Sequence, residues 1–325
     1  MSIAVPLYGF GASSGGTGGT LTVTAPANVT VTVSKDGKTK TKNSGTTGVV
    51  VFKGLASGTW TVVITGDGKT AQKNVVVTTD YSTAISFNTI PEFTYTGDYE
   101  IVNDSDEPIT VSQGNWKIRF LTSGTLTFTN LNGAEGGIDV FLVGGGGAGG
   151  NGVWENGYVQ PERRGGGAGA GYTATQSSVS VDVNTPYVVS IGAGATAPFT
   201  DPKENGSAGG DTSAFSFTAK GGGAPKNGAG GNGGSGGGNS DYEGATDGGG
   251  GTNAGTGQGT TTREFGMSTG KLYATGGSGV SKKNGQANTG DGGSGGKFTE
   301  ISGTTASGGS GGSGIVIIRN ARGAA

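Results

Sequence analysis

The side chains best suited to binding in this sequence are aromatic rings and arginines placed between runs of glycine. Such side chains contribute most of the energy at binding interfaces, and aromatic faces beside acidic or amide groups suit sugar rings. The candidate binding residues are Trp154, Tyr158, Arg163, Arg164, Phe199, Tyr242, Arg263 and Phe265. Alternatively, these rings cover the ends of glycine-rich segments and shield them from water, and one side chain can do both.

Two copies of Gly-Lys-Thr suggest a phosphate-binding loop, and both fail the test of spacing. That loop needs a glycine five residues before its second glycine, where this sequence has Thr32 and Val63. Both tripeptides, at residues 37–39 and 68–70, fall in predicted hairpin turns with no helix after them. The sequence therefore predicts no nucleotide site.

Residues for catalysis or metal binding are scarce. Histidine and cysteine are both absent, which removes the commonest general base, thiolate nucleophiles, disulfides and most zinc sites. Asn103, Asp104, Asp106 and Glu107 cluster, but they lack the glycine and spacing of a calcium loop, so a solvated turn is favoured. No carboxylate pair stands out for glycoside hydrolysis, which separation in space would define. We expect no catalysis, no cofactor and no metal; a glycan depolymerase is the third-ranked alternative.

The glycines between these residues need an explanation of their own. Residues 144–314 hold 54 of the 74 glycines, often in adjacent positions, which excludes the every-third-residue pattern of collagen. The region begins after Ile138–Val143 and ends before Ile315–Ile318, two apolar runs typical of buried strands. We predict threefold polyglycine II helices, parallel and antiparallel, that bond laterally because such a helix has no internal hydrogen bonds.

The remaining chain predicts a β protein with little or no α-helix. Residues 21–88 alternate apolar and polar side chains between Asp-Gly and Ser-Gly turns, as expected of a small antiparallel β-sandwich. Residues 89–143 add the first part of a β scaffold, which strand 315–319 closes. The scaffold thus encloses the glycine-rich domain, residues 144–314, and leaves a tail at 320–325.

The N-terminus and the charge bear on partners. Residues 1–20 predict a docking peptide and spacer, in which Ile3, Val5, Leu7, Tyr8 and Phe10 bury in another protein; the alternative is an unstructured terminus. A net charge of −2 favours neither nucleic acid nor an anionic membrane surface. The sequence also predicts neither a secretory signal nor a membrane-spanning segment.

Several segments in order resemble the glycine-rich domain of bacteriophage tail fibre and adhesin proteins. They are Trp116–Phe128, Ile138–Val143 with its glycine run, Gly165–Tyr172, Tyr187–Gly194 and Gly311–Arg319. The same plan occurs in the extracellular region of anaplastic lymphoma kinase receptors, whose cysteines and kinase are missing here. Residues 51–62 separately resemble sandwich modules similar to the carboxypeptidase regulatory domain.

The resemblance implies a structural protein of the virion, exposed on the particle surface. Its N-terminus would dock on other phage structural proteins, the sandwich would act as a spacer, and loops between glycine helices would bind a bacterial surface receptor, either a glycan or a protein. Fibres of this kind are commonly trimers, so a homo-oligomer is expected, although no coiled-coil heptads enforce one. The alternative is a spacer or decoration protein that binds no receptor.

Overall fold

The computed structural model of this chain describes residues 18–66, 69–85, 87, 90–109, 115–132, 134, 136–152, 165–197, 205–226, 228–250, 255–280, 282–296 and 307–322. The chain forms two compact units, Met1–Asn88 and Thr89–Ala325. In the described part of the chain, no helix is long and apolar enough to cross a membrane.

The first unit is a seven-stranded sandwich. Its strands are β1 (Gly19–Thr24), β2 (Thr30–Lys35), β3 (Lys38–Asn43), β4 (Val49–Leu55), β5 (Gly58–Gly66), β6 (Lys69–Val77) and β7 (Tyr81–Ala84). One sheet has the order β4-β1-β7 and the other β3-β2-β5-β6. Alternate residues such as Val31, Val33 and Val62 are fully buried between them, which is the period-two pattern of the sequence.

Lysine side chains connect two edge strands of this sandwich. The Lys40 ammonium of β3 donates to the carbonyl of Lys53 at 2.6 Å, and that of Lys42 donates to the carbonyl of Val51 at 2.7 Å. Both acceptors belong to β4, the edge of the other sheet. Charged groups on exposed edges discourage pairing with other chains, so these lysines protect both edges.

The second unit is a β scaffold joined to glycine-rich segments. Its strands are β8 (Glu92–Tyr95), β9 (Tyr99–Val102), β10 (Lys117–Phe120), β11 (Gly124–Asn130), β12 (Ile138–Val143), β13 (Thr173–Val179), β14 (Pro186–Val189), β15 (Thr212–Ala214), β16 (Phe217–Ala219) and β17 (Ile315–Asn320). They form a five-stranded sheet of order β13-β12-β17-β10-β9, a three-stranded sheet of order β14-β11-β8, and the hairpin β15-β16.

The central pair of the five-stranded sheet is β12 and β17, the two apolar runs that bracket the glycine-rich region. They run antiparallel, with Val143 opposite Ile315. Every residue of β12 is buried because both faces of the sheet are covered. One face packs in a core that includes Ile118, Phe120 and Leu126, and the other packs on a smaller cluster that includes Phe141, Phe265 and Tyr273.

The glycine-rich segments form threefold helices, which is visible in their hydrogen bonds. In segment 144–150 every third N–H bonds to the same neighbour, as a helix with three residues per turn requires. The donors and acceptors are Gly144 N–H to Tyr172 O, Gly147 N–H to Gly169 O and Gly150 N–H to Gly166 O; Gly145 N–H to Gly210 O and Ala148 N–H to Ser207 O; and Gly146 N–H to Gly312 O and Gly149 N–H to Gly309 O. The three faces of one helix thus bond to three different segments.

Carbonyl groups of the same helix bond to three further segments. Residues of segments 220–223, 192–195 and 290–296 donate to the carbonyls of Gly145, Gly146 and Gly147 respectively. Segment 144–150 is therefore surrounded by six others in the described chain, and both directions occur: 166–172 runs antiparallel to it and 290–296 runs parallel. The prediction of an all-β protein with a polyglycine II bundle is confirmed, and we call this array the glycine lattice.

Close approach of the backbones explains why the lattice needs glycine. A methyl group added to Gly169 would overlap the carbonyl oxygen of Asn232, and one added to Gly146 would overlap that of Asp291. Ala168 and Ala170 are fully buried in the same lattice, so a methyl group fits only where the spacing between helices leaves room.

Candidate functional site

The glycine lattice has two ends that differ in what they join. At the scaffold end, segment 144–150 begins directly after β12, segment 165–172 leads into β13, and segment 307–314 leads into β17. At the other end, Gly150 bonds to Gly166, and Gly165 bonds to Gly296. We call this second end the loop end, because the chain leaves the lattice there to form its inserts.

Hydrogen bonds place the described residues that flank several inserts at the loop end. The flanking residues of inserts 153–164 and 297–306 meet there, since the Gly308 N–H bonds to the Asn151 side chain at 3.0 Å. Insert 198–204 is followed by segment 205–210, in which Ser207 accepts from Ala148 near the same end. The residues that flank these inserts thus lie on the side of the lattice away from the β scaffold.

A turn at Asn239–Glu243 also lies at the loop end. Gly238, just before it, accepts from Gly167, and the Tyr242 carbonyl accepts from Gly279 at 2.9 Å. The Asn239 side chain accepts from the N–H of Asp241 at 3.1 Å and fixes the turn. The Tyr242 side chain is 42% exposed, so its ring is available to a partner.

A polar cleft of about 340 Å³ adjoins this turn. It is lined by Glu243 and by residues of three lattice segments, among them Thr275, Ser278, Lys283 and Asp291. Lys283 bonds through its carbonyl to Ser294, and Asp291 accepts from the Thr275 N–H at 2.9 Å. The cleft thus offers carboxylate, ammonium, hydroxyl and backbone groups together, a set suited to a polyhydroxylated ligand such as a sugar.

The predicted binding residues fall into three groups. Trp154, Tyr158, Arg163, Arg164 and Phe199 lie outside the described residues, as do the predicted docking residues Ile3, Val5, Leu7, Tyr8 and Phe10. Tyr242 is exposed at the loop end.

Arg263 and Phe265 lie on the scaffold rather than at the loop end. Arg263 bonds to the Asp247 carboxylate at 3.3 Å and to the carbonyl of Gly270 at 3.1 Å. Phe265 is 7% exposed, its ring lies 5.7 Å from that of Phe141 in β12, and the Arg319 guanidinium stacks on it at 4.0 Å. The prediction that Phe265 binds a receptor is corrected, because packing against the sheet removes the ring from solvent.

The structure shows a buried ionic cluster that sequence patterns did not suggest. The Lys117 ammonium contacts Asp106 at 2.6 Å and Glu264 at 2.9 Å, and the Tyr273 hydroxyl lies 3.5 Å from Glu264. Burial would raise the pKa of Asp106, but its hydrogen bond and charge interaction with Lys117 outweigh burial and hold it below the usual value. Burial, and then the Glu264 carboxylate, raise the pKa of Tyr273 well above its usual value.

A second buried ion pair fastens β12 to β17. Arg319 donates to the Asp139 carboxylate at 3.0 Å, and both side chains are nearly excluded from solvent. A signal in the sequence could have indicated these ion pairs, because charged residues occur within strands that are otherwise apolar. They are Lys117, Arg119, Asp139 and Arg319.

Comparison with known families now decides the class of this protein. The model of the family described as "Glycine-rich domain" matches residues 121–321, which include β11 to β17 and the whole glycine lattice. The chain belongs to the glycine-rich domain family. No curated protein is significantly similar to it in sequence.

Among solved structures, the chain of this glycine-rich domain protein matches the crystal structure of a DUF3823 family protein from Bacteroides ovatus ATCC 8483. The two are 10% identical with a TM-score of 0.21, over 64% of this chain and 96% of the other.

Within the described part of the glycine-rich domain protein, no group of three or more acidic side chains is placed to hold a metal ion.

Proposed function

We propose that this protein is a structural protein of a bacteriophage virion, a tail fibre or adhesin that binds a bacterial surface receptor without catalysis. The observation that carries the proposal is the common position, at the loop end, of the described residues that flank the inserts. A lattice held together by its own backbone needs little from side chains, so the inserts are available for recognition.

In this proposal the parts of the chain have separate tasks. Residues 1–20 dock on other structural proteins of the virion, and the sandwich is a spacer, as in the modules similar to the carboxypeptidase regulatory domain that it resembles. The inserts at 153–164 and 198–204, which carry Trp154, Tyr158, Arg163, Arg164 and Phe199, bind the receptor together with Tyr242. A homo-oligomer, with a trimer as the expected form, and several copies per particle would strengthen weak single contacts by roughly 100-fold or more.

The cleft lined by Glu243, the residue after exposed Tyr242, favours a glycan as the receptor. Aromatic rings stack on the apolar faces of sugar rings, and the carboxylates and amides of the cleft can accept and donate to their hydroxyl groups. Asp291 and Ser294 line the cleft and lie three residues apart along one polyglycine helix. At a rise of about 3.1 Å per residue, the cleft is about 9 Å long.

Competition for adsorption tests the proposal. Purified full-length chain is expected to bind the host cells and to block adsorption of the particle that carries it. Tyr242→Ala should weaken cell binding by roughly 30-fold if Tyr242 is a binding hot spot worth about 2 kcal/mol. Tyr81→Ala is the matched control, because Tyr81 is equally exposed, at 43%, in β7 of the sandwich.

The outcomes separate the alternatives. If the wild-type chain neither binds cells nor competes, the adhesin proposal is abandoned in favour of a spacer or decoration protein. Release of reducing ends from host glycan by the chain would instead establish a depolymerase.

A further inference from the structure

The arrangement of Lys117, Asp106 and Glu264 allows a covalent reaction. The Lys117 Nζ lies 2.6 Å from an Asp106 carboxylate oxygen and 2.9 Å from a Glu264 carboxylate oxygen. Lys117 is 5% exposed and Glu264 is 2% exposed. We propose that Lys117 and Asp106 condense into an intramolecular isopeptide bond, with Glu264 as the catalytic residue that transfers the proton.

Each of the three groups is held in place by its own element. Lys117 begins β10, which is paired on both sides by β17 and β9. Asp106 lies in a turn in which the Asn103 side chain accepts hydrogen bonds from the N–H groups of Ser105 and Glu107. The Asp106 backbone has a left-handed φ of 61° in this turn, with its side chain in contact with Lys117. Glu264 is fixed by its backbone bond to Lys271 at 2.8 Å.

The surroundings keep water away from the reacting groups. Lys117 and Glu264 are both nearly excluded from solvent, so bulk water does not compete for the proton that passes between them. The neighbouring Tyr273 hydroxyl, 3.5 Å from the other Glu264 oxygen, excludes bulk water from that side, since Tyr273 is itself 1% exposed. Reacting groups fixed at contact distance also avoid the entropic cost of meeting.

The step balances without a further reactant. The Lys117 ammonium first gives one proton to the Asp106 carboxylate oxygen 2.6 Å away, which leaves a neutral amine beside a neutral carboxyl group. The lone pair of the amine attacks the Asp106 carboxyl carbon, and a new C–N bond forms as Glu264 accepts a second proton from nitrogen. Glu264 then gives a proton to the departing hydroxyl group, the C–O bond breaks, and one water molecule leaves. The sum is one ammonium and one carboxylate giving one amide and one water, with Glu264 unchanged.

Lys271 is the matched comparison within the same cluster. Its ammonium lies 3.8 Å from the second Asp106 oxygen, and its side chain is 45% exposed. Lys271 is thus farther from the Asp106 carboxylate than Lys117 is, and solvent reaches its ammonium group. The reaction is therefore assigned to Lys117 and not to Lys271.

Mass spectrometry of the denatured full-length chain tests the bond. The wild-type protein should be lighter than its sequence by one water molecule. Trypsin does not cleave after an acylated lysine, so the digest should contain peptide 74–119, lighter by one water, in place of peptide 74–117. Fragmentation of that peptide should place the missing water between Asp106 and Lys117.

Four variants complete the test. Glu264→Gln, which keeps the size of the side chain, and Lys117→Arg should have their full sequence masses, whereas Lys271→Gln should still lose one water. Asp106→Asn should lose ammonia instead of water, because the group that leaves the side-chain carbonyl carbon is then the amide nitrogen, released as ammonia. Circular dichroism and protease resistance confirm that each variant is folded.

Full mass of the folded wild-type chain, with ordinary cleavage after Lys117, would overturn the proposal and identify the cluster as an ion pair alone. Loss of water that persists in folded Glu264→Gln would overturn the catalytic assignment of Glu264.

Discussion

Substitution of Gly169 by alanine is the most direct test of the glycine lattice. Gly169 donates to Gly223 and accepts from Gly147, both at 3.0 Å, so it bonds to two neighbouring helices at once. Its added methyl group would overlap the carbonyl oxygen of Asn232 in a third segment. That oxygen already accepts from Gly223 at 2.7 Å, so it cannot move away without breaking a further bond.

The expected cost follows from three effects. Overpacking costs about 1–3 kcal/mol, and two disrupted buried hydrogen bonds cost about 1–3 kcal/mol each. Alanine restricts the unfolded chain more than glycine does, which offsets about 0.4–1 kcal/mol. The net loss is about 2–9 kcal/mol. Its midpoint of about 5 kcal/mol should lower the Tm of the second unit by roughly 10–20 °C.

Gly150→Ala is the matched control within the same lattice. A methyl group there meets its nearest neighbours, Pro225 and Gly166, at 3.5 and 3.6 Å, which is ordinary van der Waals contact. We expect Gly150→Ala to change the Tm by no more than about 2 °C. Calorimetry of the full-length variants gives the Tm, and hydrogen exchange of peptides covering 165–172 locates the change. Equal Tm values for the two variants would refute the argument that close backbone contacts select glycine.

Three further predictions concern other parts of the chain. Phe265→Ala should lower stability by about 3–5 kcal/mol in a denaturant titration, whereas exposed Tyr242→Ala should change it by less than about 0.5 kcal/mol. Burial, and then the Asp98 carboxylate, raise the pKa of Tyr95 to about 12. The stability that this pKa shift contributes is complete below the unfolded pKa of about 10 and is lost as the pH rises towards 12. Tyr95→Phe should therefore flatten the alkaline part of a pH–stability curve. Lys40→Ala should increase light scattering at micromolar concentration without a change of fold, because it uncovers the edge of β4.

The sequence predicted the parts of the fold that depend on local pattern. The apolar runs in β12 and β17 and the adjacent glycines each reflect one dominant force, burial in the first case and close backbone packing in the second. Strand β13, with the sequence TATQSSV, was not predicted because its residues are mostly polar and exposed. It forms a strand because its backbone pairs antiparallel with β12. A local sequence pattern does not show a pairing partner that lies far along the chain.

The candidate site was predictable in composition but not in position. Tyr242 and Phe265 both follow glycine runs and both are aromatic, yet one is exposed at the loop end and the other is buried on the scaffold. The difference depends on which end of the lattice each insert reaches, which only the hydrogen-bond register fixes. Glu264 and Lys117 are 147 residues apart, so no spacing rule could have joined them.

The lattice also explains how one scaffold could hold the proposed recognition surface and the proposed reactive cluster without conflict. At the loop end, segments are held by backbone bonds to their neighbours, so a change of side chain in an insert breaks none of them. At the scaffold end, the segment from Thr262 to Tyr273 is held by side chains instead, through Phe265 on Phe141 and Glu264 on Lys117. Substitutions in the first region should therefore alter binding without unfolding the chain, whereas substitutions in the second should alter stability, because contacts between side chains hold that segment in place.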